Sequence, residues 1–452
     1  MAKRNLIFQI TLQIIAVIIV GGILVMTVMP ALSAQRLTYP IVDTGQEIAF
    51  DNIKAVSSPK VGAKFYGQDA QYRGLQPLYK DNGDGTISDL NTGLMWVKAR
   101  GQKKSWDDAI RGAKSSRVGG YTDWRAPTIK ELYSLINFMG MGMRTESQSK
   151  PYLDTRYFEF AYGDESRGER IIDCQDWSAT KYVHKTMKRN ETVFGVNFAD
   201  GRIKGYGITH PRKGANKLYM RYVRGNSSYG KNIFVDNKNG IISDKATGLM
   251  WQQLDSGKGL DWEEALAYAN AFSLGGYSDW RLPNAKELQS IVDYSRSPKT
   301  TGSPAIDPLF KNTKRESHYW TGTTHLDGGH VEAAVYLAFG RAMGYMRSPR
   351  TGSTEYMDVH GAGAQRSDPK SGNPDRFKNG RGPQGDEVLI YNYVRCVRGG
   401  VAEPVESRDA TSTEITLFTQ RRGQGGPGVE SQFQQGSAGG HPPRGFGKPR
   451  RQ

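Results

Sequence analysis

Cysteine is almost missing from this chain. Its 452 residues include two, Cys174 and Cys396, too few for a disulfide scaffold, so folded parts must stand on hydrophobic cores. Hydrophobic residues are scarce at 37%, while glycine is abundant at 54, which points to small loop-rich units and segments that bury nothing. Histidine is sparse: His184, His210, His318, His325, His330, His360 and His441. No two stand at i, i+4 and no His-Glu-x-x-His occurs, which argues against a zinc hydrolase. No Gly-x-Ser-x-Gly elbow is present either. Asp358, His360 and Ser367 are close in sequence, but such trios arise by chance in polar loops. Negative charge falls short of positive, with 45 Asp and Glu against 61 Lys and Arg and a net charge of +16. That balance favours an anionic partner: nucleic acid, a phospholipid surface, or a sulfated or acidic glycan.

One long apolar run is present. Lys3 and Arg4 precede Leu6 to Val28, and Pro30 and the small residues of Ala31-Leu32-Ser33-Ala34 follow. A charged start, an apolar core and a small-residue exit describe a secretory signal. The run is also long enough to span a bilayer. Residues 1–34 are therefore a signal peptide or a signal anchor, and both readings stand. In either case the remainder crosses the membrane. The expected location is secreted, periplasmic or at the cell surface, with residues 6–28 as the membrane anchor if uncleaved. Export argues against nucleic acid as the partner.

The rest is organised by a duplication. Gly119-Gly120-Tyr121-Thr122-Asp123-Trp124-Arg125-Ala126-Pro127 returns as Gly275-Gly276-Tyr277-Ser278-Asp279-Trp280-Arg281-Leu282-Pro283. The division that follows is an extended lead-in over 35–76, repeat 1 over 77–228, repeat 2 over 229–400, and a Gly/Gln/Arg/Pro tail over 401–452 whose end buries no core.

Each repeat opens with a hairpin. Asp81-Asn82-Gly83-Asp84-Gly85 resembles a calcium loop, but counting back from Gly85 places Lys80 at the first ligand position, and Val235 stands there in repeat 2. The spacing fails as an EF-hand and reads as a tight turn. A first helix follows from Ser105-Trp106-Asp107-Asp108 and Asp261-Trp262-Glu263-Glu264, both capping-box patterns. Trp106, Ala109, Ile110 and Ala113, with Trp262, Ala265, Leu266 and Ala269, supply one buried face each. A second helix is predicted over Thr128–Phe138 and Asn284–Tyr294. Short strands follow. All eight tryptophans fall into matched pairs, 96/251, 106/262, 124/280 and 177/320. Residues kept in register through both copies are read as core, so Trp96, Trp106, Trp124, Trp177, Trp251, Trp262, Trp280 and Trp320 are expected inside. Arg125 and Arg281 are expected to be held by a carboxylate or by carbonyls.

The order Asp-Asn-Gly, Thr-Gly-Leu-Met-Trp, Trp-x-x-Ala, Gly-Gly-Tyr-x-Asp-Trp-Arg-x-Pro-x-x-x-Glu-Leu, Tyr-Trp-x-x-Thr and Arg-Cys-Val-Arg-Gly resembles the Lcl C-terminal domain family. That family is named for the end of a Legionella collagen-like adhesin. The resemblance covers roughly residues 77–400. It implies an α+β fold of two tandem C-type-lectin-like domains, each with two helices packed on short, mostly antiparallel strands. It also implies an extracellular setting and attachment to sulfated glycosaminoglycans. It brings no cofactor, no metal site and no catalytic residue. No Gly-x-y collagen tract accompanies it.

The two copies differ most between Tyr345 and Leu389, where repeat 2 carries a long insertion. Arg347, Arg350, Tyr356, His360, Arg366, Lys370, Arg376 and Arg381 lie there and are the candidate ligand-binding residues for an anionic glycan. A solvated surface loop is the alternative. Cys174 and Cys396 lie one in each repeat, so a bridge tying the repeats together and two separate thiols are both open. Three functions follow. The first is an extracytoplasmic carbohydrate-binding or adhesion protein. The second is a structural envelope protein that binds another protein. The third is an enzyme of the formylglycine-generating type, suggested by Arg395-Cys396 and weakened by one cysteine per repeat.

Overall fold

The computed structural model describes residues 37–210, 214–348 and 351–419. The apolar run 6–28 and the tail from Gln420 lie outside them. Among the described residues no helix is long and apolar enough to cross a membrane.

Repeat 1 begins with β1 (Tyr79–Asp81), β2 (Thr86–Asp89) and β3 (Leu94–Val97). The Asp-Asn-Gly stretch is a turn: Asp84 accepts from the Thr86 amide and hydroxyl at 3.0 and 2.6 Å. Gly83 and Gly85 there adopt φ of 77° and 86°, which a glycine takes without strain. Helix α1 (Trp106–Ser115) starts where the Ser105 hydroxyl accepts from the Asp108 amide. Helix α2 (Ile129–Ser134) has a complete capping box from Thr128 and Glu131. It is shorter than predicted. Beyond Ser134 the amides of Asn137 and Phe138 turn away to the carbonyls of Tyr152 and Thr44. Leu135, Ile136 and Phe138 thus stay buried without staying helical. A meander of β4 (Asp176–Thr186), β5 (Asn190–Asn197) and β6 (Arg202–Gly207) follows, and β7 (Val223–Gly225) pairs with β3.

Repeat 2 restates this with β8 (Phe234–Asp236), β9 (Ile241–Asp244), β10 (Leu249–Gln252), α3 (Trp262–Ala271), α4 (Ala285–Ser290), β11 (His318–Asp327) and β12 (His330–Ala338). The insertion then forms a hairpin, β13 (Met343–Arg347) with β14 (Thr354–Asp358), and a further strand, β15 (Gln365–Pro369). Strand β16 (Val397–Gly399) closes on β10, and a last helix, α5 (Ser412–Thr419), lays Phe418 against Phe50.

The repeats are not separate domains. Strand β15 pairs with β12 as β6 pairs with β5, and β15 and β6 meet antiparallel at Gln365 and Ile203. The result is one six-stranded sheet, β11-β12-β15-β6-β5-β4, half from each repeat. Helices α2 and α4 meet on it with a reciprocal clasp. The Lys130 ammonium donates to the Ser290 carbonyl at 2.6 Å, and the Lys286 ammonium donates to the Ser134 carbonyl at 2.8 Å. These matched residues exchange the same bond, the signature of a two-fold, self-complementary contact. One hydrophobic core runs through both repeats, from Trp96, Leu132 and Phe194 to Trp251, Leu288 and Val335.

This overturns the expected pair of α+β C-type-lectin-like domains. Strand outweighs helix, 32% against 15%, and the five α-helices of the described residues are short. The physical reason is edge protection. A lone three-stranded meander leaves the β6 edge open, and β15 covers it, with the two strands pairing at Gln365 and Ile203.

The lead-in is part of this body. Ile48, Ala49 and Phe50 are fully buried. The Gln46 side-chain amide exchanges two 2.8 Å bonds with the backbone of Thr324. The Asp69 carboxyl accepts from the hydroxyls of Thr44 and Thr323 at 2.8 and 2.6 Å.

Candidate functional site

The residues that define the repeat motif hold the fold. Seven tryptophans are buried, and Trp106 is half-buried with the Lys181 ammonium 4.6 Å from its ring. Arg125 forks onto Glu131 with bonds of 2.7 and 2.5 Å, and Arg281 onto Glu287 with two of 2.6 Å. Since Glu131 and Glu287 also close the capping boxes, each fork ties the Trp-Arg stretch to the helix after it. Arg224 and Arg398 lie over the rings of Tyr121 and Tyr277 at 3.9 and 3.7 Å, and pair with Asp123 and Asp279. The buried Arg221 donates to the carbonyls of Val97 and Glu159, and the buried Arg395 to those of Gln252 and Gln253.

The candidate ligand residues of the insertion separate into two groups. Lys370 is buried, donates to the Asp51 carbonyl at 2.9 Å and lies 4.1 Å from the Trp262 ring. Arg366 pairs with Asp386 inside the protein, and His360 Nε2 lies 2.9 Å from the same carboxylate. Burial holds His360 below its ordinary pKa. These three face the interior, not a solvent-borne ligand. Arg347, Tyr356 and Arg376 are exposed, Arg381 is half-exposed and donates to the Ser367 carbonyl, and Arg350 lies outside the described residues. The Asp358, His360 and Ser367 trio is not assembled. Asp358 accepts from the Tyr182 hydroxyl, while Ser367 lies 2.9 Å from Nδ1 of the buried His325. Cys174 and Cys396 are both free and buried, in different parts of the core, so no bridge links the repeats. Burial pushes both thiols well up. Among the described residues no group of three His, Cys, Asp or Glu side chains could hold a metal ion.

The shared sheet brings together a cluster that sequence reasoning missed. His184 stands exposed on β4, and its pKa is lowered by partial burial and then by Lys299, Arg341 and Lys185. These charges are positive and come from both repeats, and Arg341 is itself paired with Glu316 at 2.8 Å. Lys188 and Arg189 extend the face at the β4–β5 turn. The hairpin β13–β14 borders it, through the Met187 amide on the Asp358 carbonyl and a Lys188–Glu355 pair at 2.5 Å. Tyr356 stands 49% exposed there, its ring 4.9 Å from that of Tyr345. Lys185 and Lys299 lie far apart in sequence and adjoin only because β4 and repeat 2 share one body. The bond from Thr300 to the Val183 carbonyl, at 3.0 Å, fixes that approach. The sequence signal was the run Lys185 to Arg189, which carries three cations at a turn.

A comparison with curated proteins and with solved structures returns no match. The profile of the Lcl C-terminal domain matches residues 85–224 and 240–357, more than half of the 452 residues. The second match ends within β14, where the insertion departs from the pattern of repeat 1. Each matched segment falls within one repeat, and the chain belongs to the Lcl C-terminal domain family, with two tandem copies of the domain.

Proposed function

We propose that the protein is an extracytoplasmic attachment protein of the adhesin type, which holds sulfated or otherwise acidic glycans against the cationic face around His184. The observation that carries this reading is the gathering of the exposed Lys185, Arg189 and Lys299 from both repeats beside His184, where Thr300 bonds to the Val183 carbonyl. Exposed cations are individually weak partners in water, worth about 0–1 kcal/mol each. An array of them is different, because a polyanion meets several at once and is steered toward them at low salt. Arg347 and the Tyr356 ring offer a charged and a flat partner at the edge of the same face. A non-catalytic role is supported by the chemistry of the groups that would have to react. The two thiols are buried and pushed up. His318 and His325 are buried and held neutral, each with a pKa near 4. The family and the charged, apolar start of the chain support display outside the cytoplasm.

The test is retention of the full chain on immobilised heparin together with a glycan array. The wild type is expected to require salt well above the physiological range of about 0.15 M. A variant carrying Lys185→Glu, Arg189→Glu and Lys299→Glu is expected to elute distinctly earlier with an unchanged melting temperature. Elution of the wild type below physiological salt, with no glycan bound on the array, overturns the reading.

A further inference from the structure

A pocket of about 630 Å³ opens over helix α2 of repeat 1, its other wall built from Tyr229, Asn232, Tyr294 and Asp307 of repeat 2, and the matching surface around α4 is filled by the chain itself. Arg125, Thr128, Lys130, Glu131 and Thr180 line it. The matching residues of repeat 2 are Arg281, Asn284, Lys286, Glu287 and Thr323. There the lead-in acts as a plug. The Thr323 hydroxyl donates to the Asp69 carboxyl at 2.6 Å, the Tyr72 ring lies 5.1 Å from the Arg281 guanidinium, and the Lys286 ammonium donates to the Asp43 carbonyl at 2.7 Å. The backbone of Gln68 and Asp69 lies directly on Gly322, where an added Cβ would meet the Asp69 nitrogen at 3.1 Å.

Repeat 1 lacks this plug. Tyr79 heads β1 and Phe234 heads β8, and in that register Ser227, ahead of repeat 2, stands where Tyr72 stands ahead of repeat 1. A small exposed serine stands at the pocket mouth in place of a ring. As a result the Arg125 side chain is 34% exposed, against 4% for Arg281. The two threonines are set alike. Thr180 Oγ1 accepts from the Ile129 amide at 3.0 Å, and Thr323 Oγ1 accepts from the Ala285 amide at 3.0 Å. An oxygen that accepts from an amide still has its own hydrogen to donate. On repeat 2 Thr323 donates to Asp69; on repeat 1 Thr180 lines the pocket.

We propose that the repeat 1 pocket binds an acidic segment of a partner protein in the way residues 68–72 seat on repeat 2. An aspartate or glutamate side chain accepts from the Thr180 hydroxyl, and the following residues cover Arg125. Lys130 is pinned by the carbonyls of Gly230 and Ser290 and the amide oxygen of Asn232, so it contributes positive potential and not a direct bond. Ala179 stands where repeat 2 has Gly322, so the partner backbone must sit a few tenths of an ångström further out than Gln68 does. Asp293 and Asp307 on the far wall give the pocket a polarity. They repel a second acid and favour a basic residue a few positions beyond the first, as Arg73 follows Asp69 in the lead-in. This site is distinct from the cationic face, so the proposal does not depend on the glycan reading.

The probe is a synthetic peptide with the sequence of residues 66–74, titrated into the full chain by calorimetry. A second peptide carries Asp69→Asn. Two proteins are compared, the wild type and Ser227→Tyr, which places a ring at the mouth and whose melting temperature is checked. Saturable binding to the wild type is expected. Either change is expected to weaken it by about tenfold or more: the pocket is open, so the peptide carboxylate stays ionised there, unlike the buried Asp69, and the Asn peptide loses one charge-assisted hydrogen bond. Three results overturn the proposal: no saturable binding to the wild type, binding indifferent to the Asn peptide, or binding unchanged in Ser227→Tyr. The last would mean that the peptide displaces the lead-in from repeat 2. Binding of an acidic oligosaccharide in place of the peptide, lost in Ser227→Tyr, also overturns it.

Discussion

Replacing Asp69 by asparagine tests how the lead-in is locked to repeat 2. Its carboxyl is buried between Thr44 and Thr323, and burial, with Asp43 nearby, pushes its pKa up to about 7. The same carboxyl in the unfolded chain titrates near 3.9. Between those values the native state binds more protons than the unfolded one, so this group's contribution to stability falls as pH rises from about 4 to about 7. The interval is about three units, which sets an upper limit of about 4 kcal/mol on the penalty above pH 7. Asparagine keeps an oxygen for the two hydroxyls and carries no charge to bury. Asp69→Asn is therefore expected to match the wild type at pH 4.5 within about 1 kcal/mol and to exceed it at pH 8 by about 2–4 kcal/mol. Urea unfolding at the two pH values, followed by tryptophan fluorescence, reads the difference. Equal destabilisation of the variant at both pH values would refute the reasoning. It would mean that the carboxylate is ionised throughout and held as an anion by Arg281 and Lys286.

The two arginine forks should respond alike to loss of the guanidinium. Arg125 is partly exposed and Arg281 is not, but Glu131 and Glu287 are both buried, so Arg125→Met and Arg281→Met each strand a carboxylate in the interior and are each expected to cost about 3–5 kcal/mol. Urea midpoints of the two variants measure this, and a loss under about 1 kcal/mol in either would contradict it. Both thiols should be silent to an aromatic disulfide reagent in the native protein, and both should titrate in urea without added reductant. A Cys174–Cys396 bridge in the mass of a non-reduced digest would contradict the structure.

What the sequence made legible was local. The capping boxes at Thr128, Asp261 and Asn284 are read from residues three apart, and each stands in the structure. The matched tryptophans gave the repeat and most of its core. What stayed hidden depends on partners distant in sequence. Strand β15 is buried, yet its run Gln365-Arg366-Ser367-Asp368 shows no apolar alternation. Arg366, Ser367 and Asp368 meet Asp386, His325 and Asn392, partners outside the strand, so it reads as a polar loop. The lead-in is hidden for the same reason, because Gln46, Gln68 and Asp69 seat it by hydrogen bonds with no periodic apolar face. The apolar spacing predicts longer helices than α2 and α4, because Ile136 and Val292 continue it through a buried turn. The cationic face needed the shared sheet before Lys185 and Lys299 could be neighbours.

The two repeats form a single folding unit joined by β6, β15 and the lysine clasp. Scanning calorimetry of the full chain is the decisive measurement. A single unit gives one endotherm whose calorimetric and van't Hoff enthalpies agree, with a ratio of about one. Two resolved transitions, each assignable to one repeat, would contradict it.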